Sequence, residues 1–384
     1  MADEIRYPDI EFIETDTETI ISSLIALYEE LQKAAGRDNY QVRPASPERV
    51  FISWLAAVIV QQRVLINETA KMNVPRYAAK SENEDYLDSL AEIFKDTQRL
   101  PASPASATFR FYISEPQQQS TIIPAGTRIS FDGVIMFATS EALEIKAGET
   151  SGEVEAVCTQ PGTVGNGLVA GQVKEMVDLF DHYQKAENIT TTSGGAEKED
   201  NESYYERMRE SMESFSTAGP VGGYIYWTKT VSPAVLDVAV TSPEACYVDV
   251  RVILRGGQEA TPAVLKEIEE ALNAADVRPL TDIVTVNAPE TVDFSVDATF
   301  WIAQPNKESA AAIEKAVRAA VDEYIEWQTT KMGRDINPSQ LTRMMMEAGA
   351  KRVEVRQPVF AAVPEIAVGK LQSKNILNGG LEDV

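Results

Sequence analysis

The stretch that most constrains the fold covers residues 124–167, where short apolar segments are interrupted every few residues by turn-forming residues. The segments are rich in Ile, Val, Phe and Thr, which suit a pleated and half-buried surface, and Gly, Pro, Asn and Asp form the turns. This pattern predicts a compact antiparallel β domain. The sequence GTVGNG at residues 162–167 lacks the Lys-Ser/Thr of a phosphate-binding loop, and no helical pattern directly follows it, so we predict a plain turn there.

The charge of the chain limits its partners. Its 384 residues include 59 acidic and 35 basic side chains, which gives a formal net charge of −24. Nucleic-acid backbones and anionic membranes repel such a chain, so we expect neither as a partner, whereas basic protein surfaces are compatible. No uninterrupted apolar run is long enough to span a bilayer, so membrane insertion is not expected. The first residues lack the apolar core of a secretory signal, and we expect synthesis in a reducing cytoplasm.

Residues with catalytic or metal-binding chemistry are scarce. The single histidine, His182, lies at the polar end of the β domain, and no serine has the surroundings of a nucleophile, so we expect a surface or packing role. Cys158 alternates with Val154 and Ala156 on one strand face, which favours a buried free thiol over a bridge to Cys246. We therefore predict no catalytic residues, no metal site and no cofactor. Paired carboxylates for glycoside hydrolysis stay open, because sequence gives no distances between acids.

An acidic run precedes a predicted helix that begins near Asn201. Its carboxylates are Glu197, Glu199, Asp200 and Glu202. They have two interpretations, a cation site or a charge that matches the positive end of the helix dipole, and the second is favoured.

The first 98 residues are predicted to be mostly helical. One helix carries apolar residues at three- and four-residue steps and ends at Gly36. A second begins at Ser46, which can cap it, with Pro47 in the first helical position. The apolar face of this second helix is wide for a small domain. It either packs on its own neighbours or serves a partner groove, and the surplus of apolar surface is mild evidence for bundling with another chain.

The fold class we predict is multidomain α+β. Residues 292–302 alternate apolar and polar side chains, which indicates a half-buried strand. Further strands are predicted at 235–240, 248–254, 282–286 and 352–355, and helices are predicted between strands of this region. Roughly the last fifteen residues are predicted to form a loose tail. The expected domains are a helical docking region (1–98), a β-rich domain (99–185), a linker with a helical middle segment (186–232), a first α/β unit (233–291) and a second α/β unit with the tail (292–384).

Several short motifs occur in an order that resembles the bacteriophage baseplate J-like family. They are Ile123-Pro124-Ala125-Gly126-Thr127 with Gly162 and Gly165-Asn166, Gly194-Gly195-Ala196-Glu197, Tyr205 with Arg207-Met208, Thr217-Ala218-Gly219-Pro220 with Tyr224, Arg278-Pro279-Leu280, Gly333-Arg334-Asp335-Ile336-Asn337-Pro338-Ser339, and Gln357-Pro358. Each motif alone is weak, and their common order makes the resemblance specific. The resemblance extends over about residues 108–363.

The resemblance implies a structural protein and no enzyme: a wedge subunit of a contractile tail baseplate. Such a subunit is expected to form the ring around the spike hub and to transmit the change that triggers sheath contraction. It implies self-association, as a dimer within a wedge and a ring of wedges. It also implies contacts with smaller wedge proteins and with sheath-initiating and hub or spike proteins. The protein would be made in a bacterial cytoplasm and assembled into the tail baseplate of a virion or injection particle. Gly194 and Gly219 would then mark hinges.

Two other classes of function stay open from the sequence. One is a host-surface module that binds carbohydrate or a receptor through the β domain. The other is a cell-wall hydrolase, whose activity would depend on one or two carboxylates.

Overall fold

A computed structural model describes residues 9–93, 97–215, 219–274 and 277–383 of the chain. The chain divides into two compact units. The first unit contains Met1–Gln98 and Asn201–Glu206, and the second contains Arg99–Asp200 and Arg207–Val384. Helices and sheets are both present, so the predicted α+β class is confirmed.

The first unit is helical, as predicted. Its helices are α1 (Thr17–Ala34), α2 (Pro47–Lys71), α3 (Pro75–Ala78) and α4 (Asp85–Ala91). The predicted start of α2 is confirmed, because the Ser46 side chain accepts a hydrogen bond from the Arg49 amide and Pro47 occupies the first turn. Gly36 follows the end of α1 with a φ of +81°, a left-handed conformation that glycine adopts without a steric penalty.

The second unit begins with the β-rich region that the sequence predicted. Its strands are β1 (Pro104–Ile113), β2 (Thr121–Ile123), β3 (Arg128–Ser130), β4 (Met136–Thr139), β5 (Leu143–Ile145), β6 (Ser151–Pro161), β7 (Glu175–Met176) and β8 (Tyr183–Asn188). Six of them form an antiparallel sheet in the order β7-β3-β4-β6-β1-β8, and β2 pairs with β5. Alternate side chains point into one apolar core, in which Phe109 and Phe137 pack at 5.5 Å between ring centroids.

This region extends beyond the expected boundary at residue 185. Residues 186–188 complete β8, and the Asn188 amide group bonds to backbone groups of Leu168, Val169 and Val173. Ser193 then exchanges backbone hydrogen bonds with Ser106. The segment 186–196, expected as a polar linker, is therefore largely buried within the domain, because its polar side chains satisfy buried backbone groups.

Two helices and a small mixed sheet follow. The helices are α5 (Asn201–Glu210) and α6 (Val221–Val231), and the next elements are β9 (Val235–Thr241), β10 (Tyr247–Leu254), β11 (Gln258–Glu259), α7 (Pro262–Leu272) and β12 (Ile283–Asn287). Strand β10 pairs antiparallel with β9 and parallel with β12, and α7 forms the crossover between β10 and β12. Helix α7 buries Ile268 and Leu272 against the sheet.

The last part of the chain contains a three-stranded sheet with helices packed on one face. Its elements are β13 (Glu290–Ala303), α8 (Ala310–Thr329), α9 (Pro338–Glu347), β14 (Arg352–Gln357) and β15 (Ala367–Glu382), and the strand order is β14-β13-β15. The alternation predicted for residues 292–302 is confirmed in β13. The Asn337 side chain caps α9 by accepting from the Ser339 amide.

The loose tail predicted at the carboxyl end is wrong. Those residues lie in β15, which runs parallel to β13 along nearly its whole length. Gly379 gives the Trp301 ring room to lie directly against the backbone of β15. The Asn and Gly residues there resemble a loop in sequence, but the strand lies at the edge of the sheet, where most of its side chains face solvent.

Candidate functional site

The GTVGNG turn at residues 162–167 binds the carboxylate of Glu197 from the same chain. The amide of Thr163 donates to Glu197 Oε1 at 3.0 Å, and its hydroxyl bonds the same oxygen at 3.1 Å. Gly195 and Asn166 exchange two hydrogen bonds, from Gly195 N to Oδ1 (2.9 Å) and from Nδ2 to Gly195 O (2.7 Å). These contacts support the predicted structural turn, because an amide that would face a phosphate already bonds a carboxylate of the chain.

The neighbouring glycines form a packed joint. A Cβ atom on Gly195 would overlap Gly162 O and lie 2.9 Å from Asn166 Oδ1. Gly194 has a φ of +91°, and its Cβ would lie 3.0 Å from Val264 Cγ2. Both glycines are buried, Gly194 beside the Val264 side chain and Gly195 beside the Gly162 carbonyl. The hinge expected at Gly194 stays a prediction.

Buried hydroxyl groups connect the packed glycines to α7 and to the sheet of β9–β12, which we call the central sheet. The hydroxyls of Ser106 and Thr261 share a hydrogen bond of 2.8 Å, and Ser193 donates to Glu259 O at 2.8 Å. Thr261 also caps α7. Because buried hydroxyls without partners are costly, these bonds favour one relative position of the β domain and α7.

The acidic run contributes a buried ion pair. Arg207 donates from Nε to Glu199 Oε1 at 2.8 Å and from Nη2 to Oε2 at 2.6 Å, and the two side chains are only 2% and 4% exposed. The amide of Leu100 adds a third bond to Glu199 Oε2 at 3.0 Å. The sequence did not single out this pair, because the partners are eight residues apart and nothing local marks them as buried.

The other acids of the run bind different partners. Glu197 holds the Thr163 turn, and Asp200 lies 3.3 Å from Arg255 Nη2. The favoured interpretation was that these acids interact with the positive end of the helix dipole of α5. Only Glu202 lies in the first turn of that helix. Within the described ranges, no three His, Cys, Asp or Glu side chains are arranged to hold a metal ion.

A second cluster brings together two motifs that are 60 residues apart. The Tyr224 hydroxyl donates to Asp282 Oδ2 at 2.6 Å, and Arg278 Nη1 donates to Asp282 O at 2.6 Å. Burial, followed by the bond to Asp282, raises the pKa of Tyr224. Gly219 has a φ of +70°, and its Cβ would lie 2.9 Å from Pro279 Cγ. The cluster holds the start of α6 against the start of β12, and Gly219 lies in a packed contact there. The hinge expected at Gly219 stays a prediction.

The third cluster surrounds the loop before α9. Gln328 donates to Arg334 O at 2.8 Å, and the Arg334 guanidinium lies 4.1 Å from the centre of the Trp327 ring. Asp335 Oδ1 accepts from the Val363 amide at 3.0 Å. Desolvation lowers the pKa of Arg334, which fits a cation that is stacked on an aromatic ring rather than hydrated.

The residues with potential chemistry lie apart. Cys158 is a buried free thiol, as predicted, and Cys246 is an exposed free thiol. His182 is exposed with a φ of +61°. It lines an open groove of about 810 Å³, whose other lining residues are Gln117, Gln118, Gln119, Ser120, Thr121, Ile122, Pro124, Leu179, Phe180 and Asp181.

The first unit exposes an apolar surface on α2, which we call the α2 face: Val50, Phe51, Trp54, Val58 and Leu65. Phe51 and Trp54 are each 60% exposed, and their rings pack at 5.7 Å. By length and composition α2 is also apolar enough to cross a membrane, although the sequence analysis found no apolar run of that length. Only 17% of its most apolar 18-residue segment is buried. Those two criteria are weak evidence for a span, and an uncovered helical stripe equally suits a partner helix.

One exposed ion pair of the β domain gives a pH test. Arg128 forms two hydrogen bonds of 2.8 Å with the Asp178 carboxylate, and they lower the pKa of Asp178 to about 2. The resulting stabilisation is present above the ordinary value of 3.8 and is lost as the pH falls through 2. We expect Arg128→Ala to return the Asp178 pKa towards 3.8, measured by carboxyl ¹³C NMR titration.

Asp132 is the internal control for that titration. Its pKa is lowered by backbone amides of Ile135 and Val134, and it should not respond to Arg128→Ala. An Asp178 pKa that stays near 2 in the variant would show that Arg128 does not cause the shift.

Comparison with known proteins gives ordered matches along the second unit. Three family models match the chain in order. They are the Baseplate J-like protein barrel domain at residues 108–195, the Baseplate J-like central domain at residues 216–288 and the Baseplate J-like protein C-terminal domain at residues 295–373. Baseplate protein J of Escherichia phage P2 is 33% identical over 179 residues. That match covers 45% of this chain and 57% of the phage protein, so it spans little more than half of the relative.

A solved structure resembles the chain more distantly. It is a cryo-EM structure of the anti-feeding prophage (AFP) baseplate, 6-fold symmetrised, and the match covers 91% of this chain and 90% of that chain. At 12% identity and a TM-score of 0.39, it does not bear on function. The three domain matches include the joints built on Gly195, Tyr224 and Arg334. With barrel, central and C-terminal domains all present in order, the chain belongs to the baseplate J-like family.

Proposed function

We propose that this chain is a structural wedge subunit of a contractile tail baseplate. The observation that carries the proposal is the ordered match of three baseplate J-like domains along the second unit. In this role the chain forms part of the ring around the spike hub and passes on the change that triggers sheath contraction. It is made in a bacterial cytoplasm and assembled into the particle.

The contacts inside the second unit support a role that transmits force. Residues of the β domain and of the following sheet form packed joints, such as the buried hydrogen bond between the hydroxyls of Ser106 and Thr261 and the hydrogen bond from Tyr224 to Asp282. Met332 of the C-terminal part also donates its amide to Asp237 of β9 at 2.9 Å, beside a small apolar cluster that the two sheets share. Joints of this kind resist local deformation, so a displacement at one domain moves its neighbours as well.

The α2 face supports a contact with a smaller wedge protein. Between Arg49 and Arg63 the helix carries no charged residue, although the whole chain has a net charge of −24. An apolar stripe that is free of charge suits a helix bundle with another chain.

Co-expression with the products of adjacent genes tests this role. We expect the chain to co-purify with at least one neighbour in a complex of defined mass that imaging shows as a wedge or ring. Phe51→Asp combined with Trp54→Asp should abolish that co-purification while the circular dichroism of the purified chain stays unchanged. The reason is that each carboxylate would be desolvated in an apolar contact.

Val134→Asp is the matched control, because Val134 is 65% exposed on the β domain. If Val134→Asp abolished co-purification and Phe51→Asp with Trp54→Asp did not, the partner would bind the β domain and not the α2 face. A chain that stays alone with every neighbouring gene product would contradict the baseplate role.

The groove beside His182 favours a second candidate function, binding of a host-surface carbohydrate. Three successive glutamines and Asp181 line it, and side-chain amides and carboxylates are common partners for sugar hydroxyls. Binding of cell-surface glycans that Gln118→Ala and Asp181→Ala reduce together would support this function.

A further inference from the structure

The groove beside His182, which we call the His182 groove, lies between two segments of the β domain. One wall runs along residues 117–124, which include β2, and the other is the turn at residues 179–182. Its volume of about 810 Å³ falls within the range of roughly 300–1,000 Å³ that is usual for small-molecule sites. A short oligomer would fit, and the side chains of the lining decide which kind.

Hydrogen bonds hold the first wall in place. The Gly148 amide donates to Gln117 O at 3.0 Å. At the other end Pro124 O accepts from the hydroxyls of Thr127 at 2.7 Å and of Thr139 at 3.0 Å. Between these two points β2 pairs with β5. Because this wall is ordered in the single chain, a ligand would not have to order it on binding.

The second wall is anchored in the apolar core of the β domain. The Phe180 ring lies 6.0 Å from the Phe111 ring and 5.3 Å from the Tyr183 ring, measured between centroids. The carbonyl of His182 accepts from the Ser114 amide at 2.8 Å. These contacts fix the turn, so its outward side chains are presented from a backbone that is already positioned.

Several polar side chains of the groove are available to a ligand. Within the part of the chain that the structure describes, five lining side chains make no hydrogen bond: Gln118, Gln119, Ser120, Asp181 and His182. By contrast, the Gln117 amide donates to Glu115 O at 2.9 Å. Side-chain amides both donate and accept, and a carboxylate accepts, so the lining can bond groups that do both. Sugar hydroxyls are groups of this kind.

Two apolar side chains lie beside these polar groups. Ile122 is 64% exposed and Leu179 is 76% exposed, and both line the groove. The carbon-bound hydrogens of a sugar ring can cover such side chains and remove their surface from water. The lining therefore suits a ligand that has hydroxyl groups at its edges and apolar faces.

The charge of the lining disfavours acidic ligands. Asp181 contributes a carboxylate, and no lysine or arginine is among the described lining residues. A carboxylate or phosphate on a ligand is bound most strongly by arginine or lysine. Here it would instead face Asp181, on a chain whose formal net charge is −24. An unpaired like charge lowers affinity, so the groove would reject acidic sugars by repulsion.

We propose that the His182 groove binds a neutral oligosaccharide, built from hexose or N-acetylhexosamine units, and discriminates against sugars that carry carboxylate or phosphate groups. Asp181 and the glutamines bond the sugar hydroxyls, and Ile122 and Leu179 contact the ring carbons. This inference rests on the carbohydrate-binding function proposed above as the second candidate, and it names the class of sugar.

The test measures binding of the full chain to an array of paired glycans. Each hexose or N-acetylhexosamine chain is present in a neutral form and in a form that carries sialic acid, glucuronic acid or phosphate. In about 20 mM salt the acidic members should bind at least about tenfold more weakly than their neutral partners. The difference should shrink in about 150 mM salt, because salt screens exposed charges.

Two substitutions locate the ligand in the groove. Gln118→Ala should weaken binding of the neutral members by about fivefold or more, since it removes an amide that bonds hydroxyls. Asp181→Lys should strengthen binding of the acidic members by about tenfold, because an anion then meets a cation. Gln160→Ala and Glu175→Lys are the matched controls and should change neither affinity, since both residues are exposed on the β domain outside the lining.

The outcomes separate this inference from the functions on which it builds. Stronger binding of the acidic members by the wild type would overturn the neutral class while carbohydrate binding stands. Binding that responds to neither Gln118→Ala nor Asp181→Lys would overturn the groove as its site. Absence of binding to every member would contradict the carbohydrate-binding function itself, and with it this inference. Co-purification with neighbouring gene products tests the baseplate role independently of all three results.

Discussion

Replacing Arg207 by alanine is expected to lower the free energy of unfolding by about 3–5 kcal/mol. The substitution leaves the Glu199 carboxylate, whose side chain is only 4% exposed, with the Leu100 amide but without its cation. A buried charge without its counterion is costly because its hydration has already been lost. Urea unfolding followed by circular dichroism would measure the loss.

The exposed pair of Arg128 and Asp178 is the matched control. Both pairs are bidentate, but solvent reaches Arg128 and Asp178, so Arg128→Ala should lower the free energy of unfolding far less than Arg207→Ala does. The double variant Glu199→Gln with Arg207→Met should recover part of the loss, since it removes both charges together. Equal losses for Arg207→Ala and Arg128→Ala would show that water reaches the Glu199 pair.

Replacing Gly195 by alanine is expected to destabilise the joint between the GTVGNG turn and the segment after β8 by about 3 kcal/mol. The added methyl group would overlap Gly162 O, and it would also lie 3.1 Å from Ala105 N. Backbone atoms on both sides of the contact cannot rotate away as a flexible side chain can. The expected result is a lower unfolding midpoint in urea and greater proteolysis within residues 160–200.

Gly167 provides the contrast. It has a φ of +78°, and a Cβ there would meet nothing within 4 Å, so Gly167→Ala should cost only the backbone strain of roughly 1–2 kcal/mol. Conformational preference alone predicts the reverse order, because Gly167 and not Gly195 has the left-handed backbone. A larger loss at Gly167 than at Gly195 would therefore contradict close packing at the joint.

Local patterns were sufficient to predict most helices and strands. The cap at Ser46, the period of two in β13 and the buried thiol of Cys158 depend on residues that are close in sequence. Side-chain periodicity and capping act over one or two turns of the chain, so a single sequence contains them. The order of the motifs also indicated the family correctly.

The errors share a different cause. The carboxyl-terminal strand β15 resembled a loop because its hydrogen-bond partner, β13, lies about 80 residues earlier in the chain. The segment 186–196 resembled a linker because its polar groups satisfy buried backbone atoms of distant strands. The packing of Gly194 beside Val264 and of Gly219 beside Pro279 was also not visible in the sequence, because these partners lie about 60–70 residues away in the chain.

The sequence by itself therefore determined most of the helices and strands, the fold class and the family of this protein. The tertiary structure alone decided which distant residues meet: Glu199 with Arg207 in a buried ion pair, and Gly195 with Asn166 and Tyr224 with Asp282 in part-buried hydrogen bonds. It also decided which edge and which face, those of β14 and α2, the rest of the described residues leave uncovered. The physical reason is that burial and pairing depend on contacts between residues far apart in the chain, and these contacts exist only once the chain has folded.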